Sequence, residues 1–214
     1  SEVPNYSADN CTQCGICSFV CPHAVIRPFL LSPEEAAAAP EGLKADLRKA
    51  IHTNPEVERY QWKIQVSPWD CTGCTLCVKA CPDNALEMKN AQDMIKKEEK
   101  NWEYAVQLPN RGDLFDRTTL KGSQMQQPLL EFSGACEGCG ETPYVKLLTQ
   151  LCGERTIISN ATGCSSIWGA SVPAVPYVKN QRGQGPAWAN SLFEDNAEFG
   201  YGITTAVKSR TAHL

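Results

Sequence analysis

Residues 11–22 of the chain read CTQCGICSFVCP, and residues 71–82 read CTGCTLCVKACP. Both stretches follow the pattern C-x2-C-x2-C-x3-C-P, and each cysteine of the first recurs 60 positions later in the second. The flanks match as well, because Thr12 corresponds to Thr72 and a short apolar segment follows each proline. Duplication of one half-module is the simplest explanation of such an internal repeat.

This cysteine pattern predicts two [4Fe–4S] clusters with an exchanged ligand. Three closely spaced thiolates on a curling loop can reach three corners of an iron–sulfur cubane, whereas the fourth cysteine of the run ligates the other cluster. We therefore predict that cluster one takes Cys11, Cys14, Cys17 and Cys81, and that cluster two takes Cys71, Cys74, Cys77 and Cys21.

Zinc and disulfide bonds are the alternatives for a chain with 12 cysteines. Four-thiolate zinc sites are common, but they usually show pairs of C-x2-C motifs separated by a loop. Disulfides require an oxidising compartment, and the segment before Cys11 has neither the basic start nor the apolar stretch of a signal peptide. We expect iron–sulfur ligation in a reducing compartment, which is the cytoplasm, or the matrix of an energy organelle in a eukaryote.

The composition of the 214 residues is that of an ordinary soluble globular protein, with 42% hydrophobic and 21% charged residues. The net charge of -4 is mild and argues against a nucleic-acid or anionic-membrane partner, either of which favours a basic face. No apolar run approaches the roughly 20 residues that a membrane-spanning helix needs. We expect one or two domains, no nucleic acid and no membrane.

Residues 1–108 are predicted to form an α+β ferredoxin-like domain with an insertion at 28–66. Within the insertion, Ser32 and Glu35 have the spacing of a helix capping box, and residues 41–51 are an amphipathic helix candidate. Alternating residues from 60 to 66 predict a half-buried strand. A helix capped by Asn90 is expected to run to about Val106, with the charged run 96–100 on its solvated face.

Residues 109–128 have no clear period and are predicted to be a linker, and residues 129–214 form a second unit. A helix at 142–151 carries Tyr144, Leu147, Leu148 and Leu151 on one face, and Gly153 is placed to end it. Thr156–Ile158 is a buried-strand candidate, and Ser191 with Glu194 is expected to cap a helix that runs to about Val207. We predict an incomplete α/β unit, because one convincing strand is too little to close such a core.

Four further cysteines lie outside the two runs. GACEGCG at 134–140 is a C-x2-C on a glycine-rich loop, which zinc, a redox dithiol or another cluster could use. Cys152 ends an amphipathic helix and is expected to be a buried, inert thiol. Among other candidates, solvated roles are favoured over metal or general-base roles for His23, His52, Glu137 and Glu141.

The two cysteine runs, followed by GACEGCGETPY (134–144) and SNATGCSSIWG (159–169), resemble pyruvate:ferredoxin oxidoreductase and its 2-oxoacid relatives. The resemblance covers essentially the whole chain, from that family's ferredoxin domain into the first part of its thiamine-diphosphate-binding domain. It implies that Cys136, Cys139 and Cys164 ligate a third, proximal [4Fe–4S] cluster. It also implies that Thr162, Gly163 and Cys164 lie near the thiamine ring.

In this family, several functional elements lie outside the stretch that the chain resembles. The fourth ligand of the proximal cluster and the Gly-Asp-Gly…Asn element that holds Mg2+ and the diphosphate come from beyond Leu214, and the glutamate that activates thiamine comes from an earlier domain. Arg111–Leu114 is no substitute, and Cys152 is disfavoured as the fourth ligand. The resemblance therefore implies a part of a larger polypeptide, not catalytically competent alone.

The implied function is the electron-transfer segment of a 2-oxoacid oxidoreductase that forms acyl-CoA and CO2 with coenzyme A as co-substrate. Its expected partners are the remainder of the same enzyme, further copies in a homo-oligomer, and ferredoxin, flavodoxin or a fused reductase as electron acceptor. A stand-alone polyferredoxin-type carrier explains the first 90 residues but leaves GACEGCGET and ATGCSS without a role. A zinc-stapled interaction module is the third interpretation.

Overall fold

The amino-terminal part of the chain is an α+β unit in the computed structural model, which describes residues 1–170, 175–191, 193 and 196–213. The strand Glu2–Tyr6 pairs antiparallel with Leu86–Asn90, and a second antiparallel sheet has the strand order Ile26–Leu31, Gln61–Val66, Arg48–Lys49. The elements in chain order are β1 (Glu2–Tyr6), α1 (Ile16–Phe19), β2 (Ile26–Leu31), α2 (Pro33–Ala38), α3 (Glu41–Ala45), β3 (Arg48–Lys49), β4 (Gln61–Val66), α4 (Leu76–Ala80), β5 (Leu86–Asn90) and α5 (Ala91–Ala105).

The duplication is visible in this arrangement. Helices α1 and α4 begin 60 positions apart, at Ile16 and Leu76, and they pack against each other. The β1–β5 pair brings the two ends of the unit together, with Tyr6 opposite Leu86. The two cysteine runs are thereby held face to face, which is the arrangement that an exchange of ligands requires.

The insertion at 28–66 is an integral part of the unit. The capping box is confirmed, because the Ser32 hydroxyl accepts from the Glu35 N–H while the Glu35 carboxylate accepts from the Ser32 N–H. The helix predicted over 41–51 is wrong beyond Ala45, since the chain turns there and forms β3 at Arg48–Lys49. The cause is the pairing of β3 with β4, which overrides the helical pattern.

Strand β4 is confirmed but is buried along nearly its whole length rather than on one face. Lys63 is 1% exposed and is paired with Asp46 at 2.7 Å, and Gln65 donates to the Glu98 carboxylate at 2.9 Å. Helix α5 begins at the predicted Asn90 cap and covers this second face. Glu98 is therefore an exception to the solvated run 96–100, because it is buried between Gln65 and Asn101.

Residues 109–128 do not behave as a simple linker. They form a 3-10 turn at Gly112–Leu114 and helix α6 (Leu120–Met125), and Phe115 and Met125 belong to the main hydrophobic core. The Thr119 hydroxyl caps α6 by accepting from the Gly122 N–H. Elements this short show no period in a sequence, which is why this stretch was expected to be a linker. The domain boundaries themselves stay predictions.

The carboxyl-terminal elements are α7 (Thr142–Cys152), β6 (Ile157–Asn160), α8 (Cys164–Ala170), β7 (Ala187–Asn190) and α9 (Ala197–Ala212). Gly153 ends α7 as predicted. Strand β6 is confirmed but its Ile157 is half exposed, and β6 pairs in parallel with β7, a strand that the sequence analysis missed. Glu194 lies outside the described residues, and α9 begins after Asn196 and continues past the predicted end at Val207.

The inward face of α7 is polar, contrary to prediction. Tyr144 is 76% exposed and Leu148 is 44% exposed, whereas Thr142, Lys146, Thr149 and Gln150 are buried. The helix packs on α6, whose Gln124 amide donates to the Gln150 side chain at 3.1 Å. Its partner surface is polar, and of the apolar stripe Tyr144 and Leu148 are exposed while Leu147 and Leu151 are half-buried. Within the described residues, no helix is both long and apolar enough to cross a membrane.

Candidate iron–sulfur sites

Two cavities of similar size lie between the duplicated halves. The first encloses about 350 Å³ of empty space and the second about 370 Å³, both including the opening to solvent. The thiols that line the first cavity come from Cys11, Cys14, Cys17 and Cys81. Those that line the second come from Cys21, Cys71, Cys74 and Cys77. Each cavity thus combines three cysteines of one run with the last cysteine of the other.

The backbone of both cysteine loops has the same unusual conformation. Residues at the third and fifth positions of each loop have positive φ: Gln13 (60°) and Gly15 (84°) in the first, Gly73 (76°) and Thr75 (66°) in the second. Alternating left-handed residues curl a loop and turn its N–H groups to one side, which forms a concavity that binds anions. The loop shape is thus common to both halves, although the residues differ.

Two of the thiols accept hydrogen bonds from main-chain N–H groups, and burial raises the pKa of others. The N–H groups of Gln13 and Ala85 donate to the Sγ atoms of Cys11 (3.3 Å) and Cys81 (3.2 Å). Burial raises the pKa of Cys71 to about 11, and burial followed by the nearby Cys21 raises the pKa of Cys77 to about 12. Bound iron supplies the positive charge that such thiolates lack, so ligation releases protons.

The two thiol sets also lie close to each other. Burial raises the pKa of Cys17, and the neighbouring Cys11 and then Cys77, which belongs to the second cavity, add to this effect. Within the described residues, no three His, Cys, Asp or Glu side chains are close enough together to ligate a single metal ion. The thiols of each set instead surround a larger space. Two adjacent thiol-lined cavities are suited to two cubane clusters within electron-transfer distance.

Tyr6 is a residue of the first cavity that the sequence analysis missed. Its side chain lines that cavity, and its buried hydroxyl has no hydrogen-bond partner among the described residues. Burial, and then the neighbouring Cys11, raises the pKa of Tyr6, so the hydroxyl keeps its proton. A buried donor without a partner is costly, and a sulfur atom of a bound cluster would satisfy it. The cavity therefore fits the predicted cofactor.

Replacing Tyr6 by phenylalanine is expected to lower the reduction potential of cluster one, because hydrogen-bond donors to the sulfur atoms favour the more negative reduced form. One hydrogen bond of about 1.4 kcal/mol corresponds to a tenfold change, or about 59 mV for one electron. An EPR-monitored redox titration measures this shift. Tyr104→Phe is the matched control, since its hydroxyl donates to the Glu35 carbonyl instead; unchanged potentials in Tyr6→Phe would contradict the assignment.

His23 is buried, and its predicted solvated position is wrong. Only 3% of the residue is exposed, it lines the second cavity, and its Nε2 lies 3.0 Å from the Ala135 carbonyl oxygen. The His23 carbonyl oxygen also accepts from the Phe132 N–H at 3.0 Å, just before the loop 134–140. His23 therefore joins the second cavity to the loop that carries Cys136 and Cys139. His52 is half-buried and stacks edge-on against Phe115, at 4.8 Å between ring centroids.

The third cysteine group consists of Cys136, Cys139 and Cys164. Cys136 and Cys164 are exposed and Cys139 is half-buried. The Glu141 N–H donates to the Cys139 Sγ at 3.4 Å, while the Glu141 carboxylate accepts from the Trp168 indole at 3.0 Å. Because Trp168 lies one turn after Cys164 in α8, Glu141 ties the two cysteine-bearing segments together. Glu141 is exposed, as expected, and it also links these two segments through its N–H group and its carboxylate.

The loop of the third cysteine group lies against the second cavity. A Cβ atom added to Gly138 would lie 3.7 Å from the Cys74 Cβ, and the exposed Glu137 contributes to the raised pKa of Cys71, after burial and the nearer thiols. Cys152 does not join this group. It is exposed rather than buried, and it lines a polar cleft with Arg117, Arg182 and Glu154 on another part of the chain.

Thr162 and Gly163 occupy the turn between β6 and α8, at the carboxyl end of a strand that pairs in parallel with β7. The Thr162 hydroxyl donates to the Ser191 carbonyl oxygen at 3.2 Å, and the Gly163 N–H donates to the Ser166 hydroxyl at 2.9 Å. Both residues and Cys164 are exposed. In α/β sheets, this edge is where ligands bind.

Two family models described as "4Fe-4S dicluster domain" match the chain, one over residues 4–82 and the other over residues 70–155. The first spans both cysteine runs, and the second begins just before the second run and extends past Cys139 but not to Cys164. Together with the paired cavities, these matches define the class of the protein. It is an iron–sulfur protein of the two-cluster ferredoxin type.

Similar proteins narrow the class further. The chain is 61% identical over 209 residues to "Pyruvate dehydrogenase [NADP(+)]" of Cryptosporidium parvum and 60% identical over 204 residues to its mitochondrial counterpart in Euglena gracilis. It is 55% identical over 215 residues to "Pyruvate:ferredoxin oxidoreductase" of Moorella thermoacetica. These matches cover 98%, 95% and 100% of the chain but 11%, 11% and 18% of the respective relatives. The resemblance seen in the sequence is confirmed: over nearly its whole length, the chain is similar to one segment of pyruvate:ferredoxin and pyruvate-flavodoxin oxidoreductases.

Proposed function

We propose that this chain is the electron-transfer segment of a larger pyruvate:acceptor oxidoreductase. The observation that carries the proposal is the lining of the two cavities, each with three thiols of one cysteine run and the fourth of the other. Clusters held there accept and release single electrons. The chain contributes the ligands, the N–H donors toward sulfur and the apolar walls, which together tune the reduction potential.

The contacts favour one order of the sites along the electron path. The third cysteine group lies beside the second cavity, through the His23–Ala135 contact and the approach of Gly138 to Cys74. The second cavity adjoins the first through Cys77 and Cys17. Thr12 and Asp83 line the first cavity, are exposed and are hydrogen-bonded at 2.7 Å. We place the entry of electrons at the third group and their exit near Thr12.

The remainder of the enzyme would supply the catalytic parts. We propose that Cys136, Cys139 and Cys164 hold the proximal cluster with a fourth ligand from outside this chain, and that Thr162, Gly163 and Cys164 border thiamine diphosphate. Support comes from the position of this turn at the carboxyl end of β6 and from the Glu141–Trp168 contact. Mg2+ and coenzyme A belong to the same proposal, with pyruvate as the 2-oxoacid.

The electron acceptor is proposed from the names of the relatives. Several relatives are named for ferredoxin or flavodoxin. The Cryptosporidium and Euglena relatives are instead named for NADP(+). These two are also longer, as the smaller share of them that the chain covers indicates. Reduction of NADP(+) by the purified enzyme without an added carrier would identify a fused reductase. A homo-oligomer and a cytoplasmic or mitochondrial location, the latter as in the Euglena relative, complete the proposal.

The test is the anaerobic content of iron and acid-labile sulfide, with low-temperature EPR after reduction. The segment alone is expected to hold about eight irons and to give spin-coupled signals, and the complete enzyme is expected to hold about twelve. Zinc without sulfide would refute the proposal in favour of an interaction module. Clusters in a complete protein that binds no thiamine diphosphate would favour a polyferredoxin-type carrier.

A further inference from the structure

Lys146 reaches from helix α7 into the first cysteine run. It is 1% exposed, and its Nζ donates to the carbonyl oxygens of Ser18, of Phe19 at 3.3 Å and of Cys21 at 3.0 Å. Helix α1 ends at Phe19, so the carbonyl groups of its last turn lack partners within the helix. A side chain from outside the duplicated halves therefore fixes the backbone between the third and fourth cysteines of the run.

The charge of Lys146 is balanced differently from that of the other buried lysine. Lys63 is equally buried, but its ammonium is paired with the Asp46 carboxylate at 2.7 Å. The hydrogen-bond acceptors of Lys146 among the described residues are these three carbonyl oxygens, and no carboxylate of those residues is paired with its ammonium. Burying a cation without an anion is costly, and ligated thiolates provide the missing negative charge.

We propose that Lys146 is the counter-cation of cluster two: it holds the main chain of the exchanged ligand Cys21 in place and raises the reduction potential of that cluster. The proposal rests on the proposed cluster assignment. Reduction adds negative charge, and a nearby cation in a poorly solvated environment favours the reduced state. Lys146 is a positioning residue, since it acts through the Cys21 backbone and through its charge.

Lys121 provides an independent reference at the other cavity. It lies in α6, its Nζ donates to the Ile51 carbonyl oxygen at 2.6 Å, and the ammonium lies 4.7 Å above the Trp62 ring. A Cβ atom added to Gly15, which lines the first cavity, would lie 3.4 Å from the Lys121 Cα. Its charge therefore acts on cluster one. Substitution of Lys121 and substitution of Lys146 should then shift the potentials of different clusters in a redox titration.

The experiment compares Lys146→Met, Lys121→Met and Lys63→Met in the complete enzyme by EPR-monitored redox titration. Lys146→Met is expected to shift the one-electron equilibrium of one cluster toward the oxidised form by about tenfold, or about 59 mV. Lys121→Met should shift the other cluster. Lys63→Met removes an equally buried lysine whose charge is already paired, so it should leave the potential of cluster two unchanged.

A normal iron content with unchanged potentials in Lys146→Met would overturn the proposal, and so would a shift of the same cluster by both Lys146→Met and Lys121→Met. If Lys146→Met binds less than its full complement of iron, Lys146→Gln is measured as well, because glutamine keeps a hydrogen-bond donor but lacks the positive charge. Selective loss of about four irons in these variants supports the proposal, whereas equal loss of both clusters means a general folding role and contradicts it. Absence of iron in the unmodified enzyme would instead refute the proposed function.

Discussion

Replacing Cys21 by alanine is expected to remove cluster two, although Cys21 belongs to the first cysteine run. Its thiol lines the second cavity together with Cys71, Cys74 and Cys77. A cluster with three protein ligands is labile, so we expect a loss of about four irons and the disappearance of the spin coupling between the two clusters. Iron analysis and EPR of the reduced protein measure both effects.

Two further variants identify which cluster Cys21→Ala loses. Cys74→Ala removes a ligand of the second cavity that lies in the second run, and Cys14→Ala removes a ligand of the first cavity. The signal that remains in Cys21→Ala should match that of Cys74→Ala and differ from that of Cys14→Ala. A match with Cys14→Ala would mean that each run holds its own cluster, and the exchanged-ligand assignment would be wrong.

Gly122→Ala is expected to be the most destabilising small substitution outside the ligands. An added Cβ would overlap the carbonyl oxygen of Asp116 and lie 2.8 Å from the Thr119 Oγ1. Overpacking against backbone costs about 3 kcal/mol, and the better helix propensity of alanine returns about 1 kcal/mol. The net loss of about 2 kcal/mol should lower the midpoint of thermal unfolding by roughly 4–8 °C.

Gly202→Ala is the matched control for this prediction. Gly202 lies in α9, and no described atom outside the local helix backbone lies within 4 Å of a Cβ added there. The same chemical change should therefore leave the midpoint unchanged or raise it slightly. The midpoint is followed by the loss of visible cluster absorption under anaerobic conditions. An equal response of both variants would show that the close approach of α6 to Asp116 does not limit stability.

Local patterns in the sequence predicted the elements that depend on local interactions. The capping box at Ser32, the Asn90 cap and the end of α7 at Gly153 each rest on residues within one or two turns of the chain. The face of α7 could not be predicted in this way, because burial of Lys146 and Gln150 depends on polar partners far along the chain. An apolar stripe indicates the buried face of a helix only where the opposing surface is apolar.

The two thiol sets follow from cysteine spacing, because the geometry of a cubane limits which cysteines one loop can supply. The surroundings of the clusters do not follow from spacing. Tyr6, His23 and Lys146 approach the thiols from β1, from the chain after Pro22 and from α7, and none of them belongs to a motif. Their positions depend on pairings between segments more than 80 residues apart, such as β1 with β5.

The two cysteine loops share one backbone shape but have their glycines at different positions, which indicates how the two halves diverged after duplication. Gly73 lets β1 pass close by, since an added Cβ would lie 3.1 Å from the Glu2 carbonyl oxygen. At the equivalent position of the first half, Gln13 instead anchors the insertion through hydrogen bonds with the main chain of Lys49 and Ile51. Evolution has thus retained the ancestral backbone while each copy acquired side chains suited to its own neighbours. The symmetry of the duplication persists in the path of the chain, whereas the side chains at equivalent positions of the two halves differ.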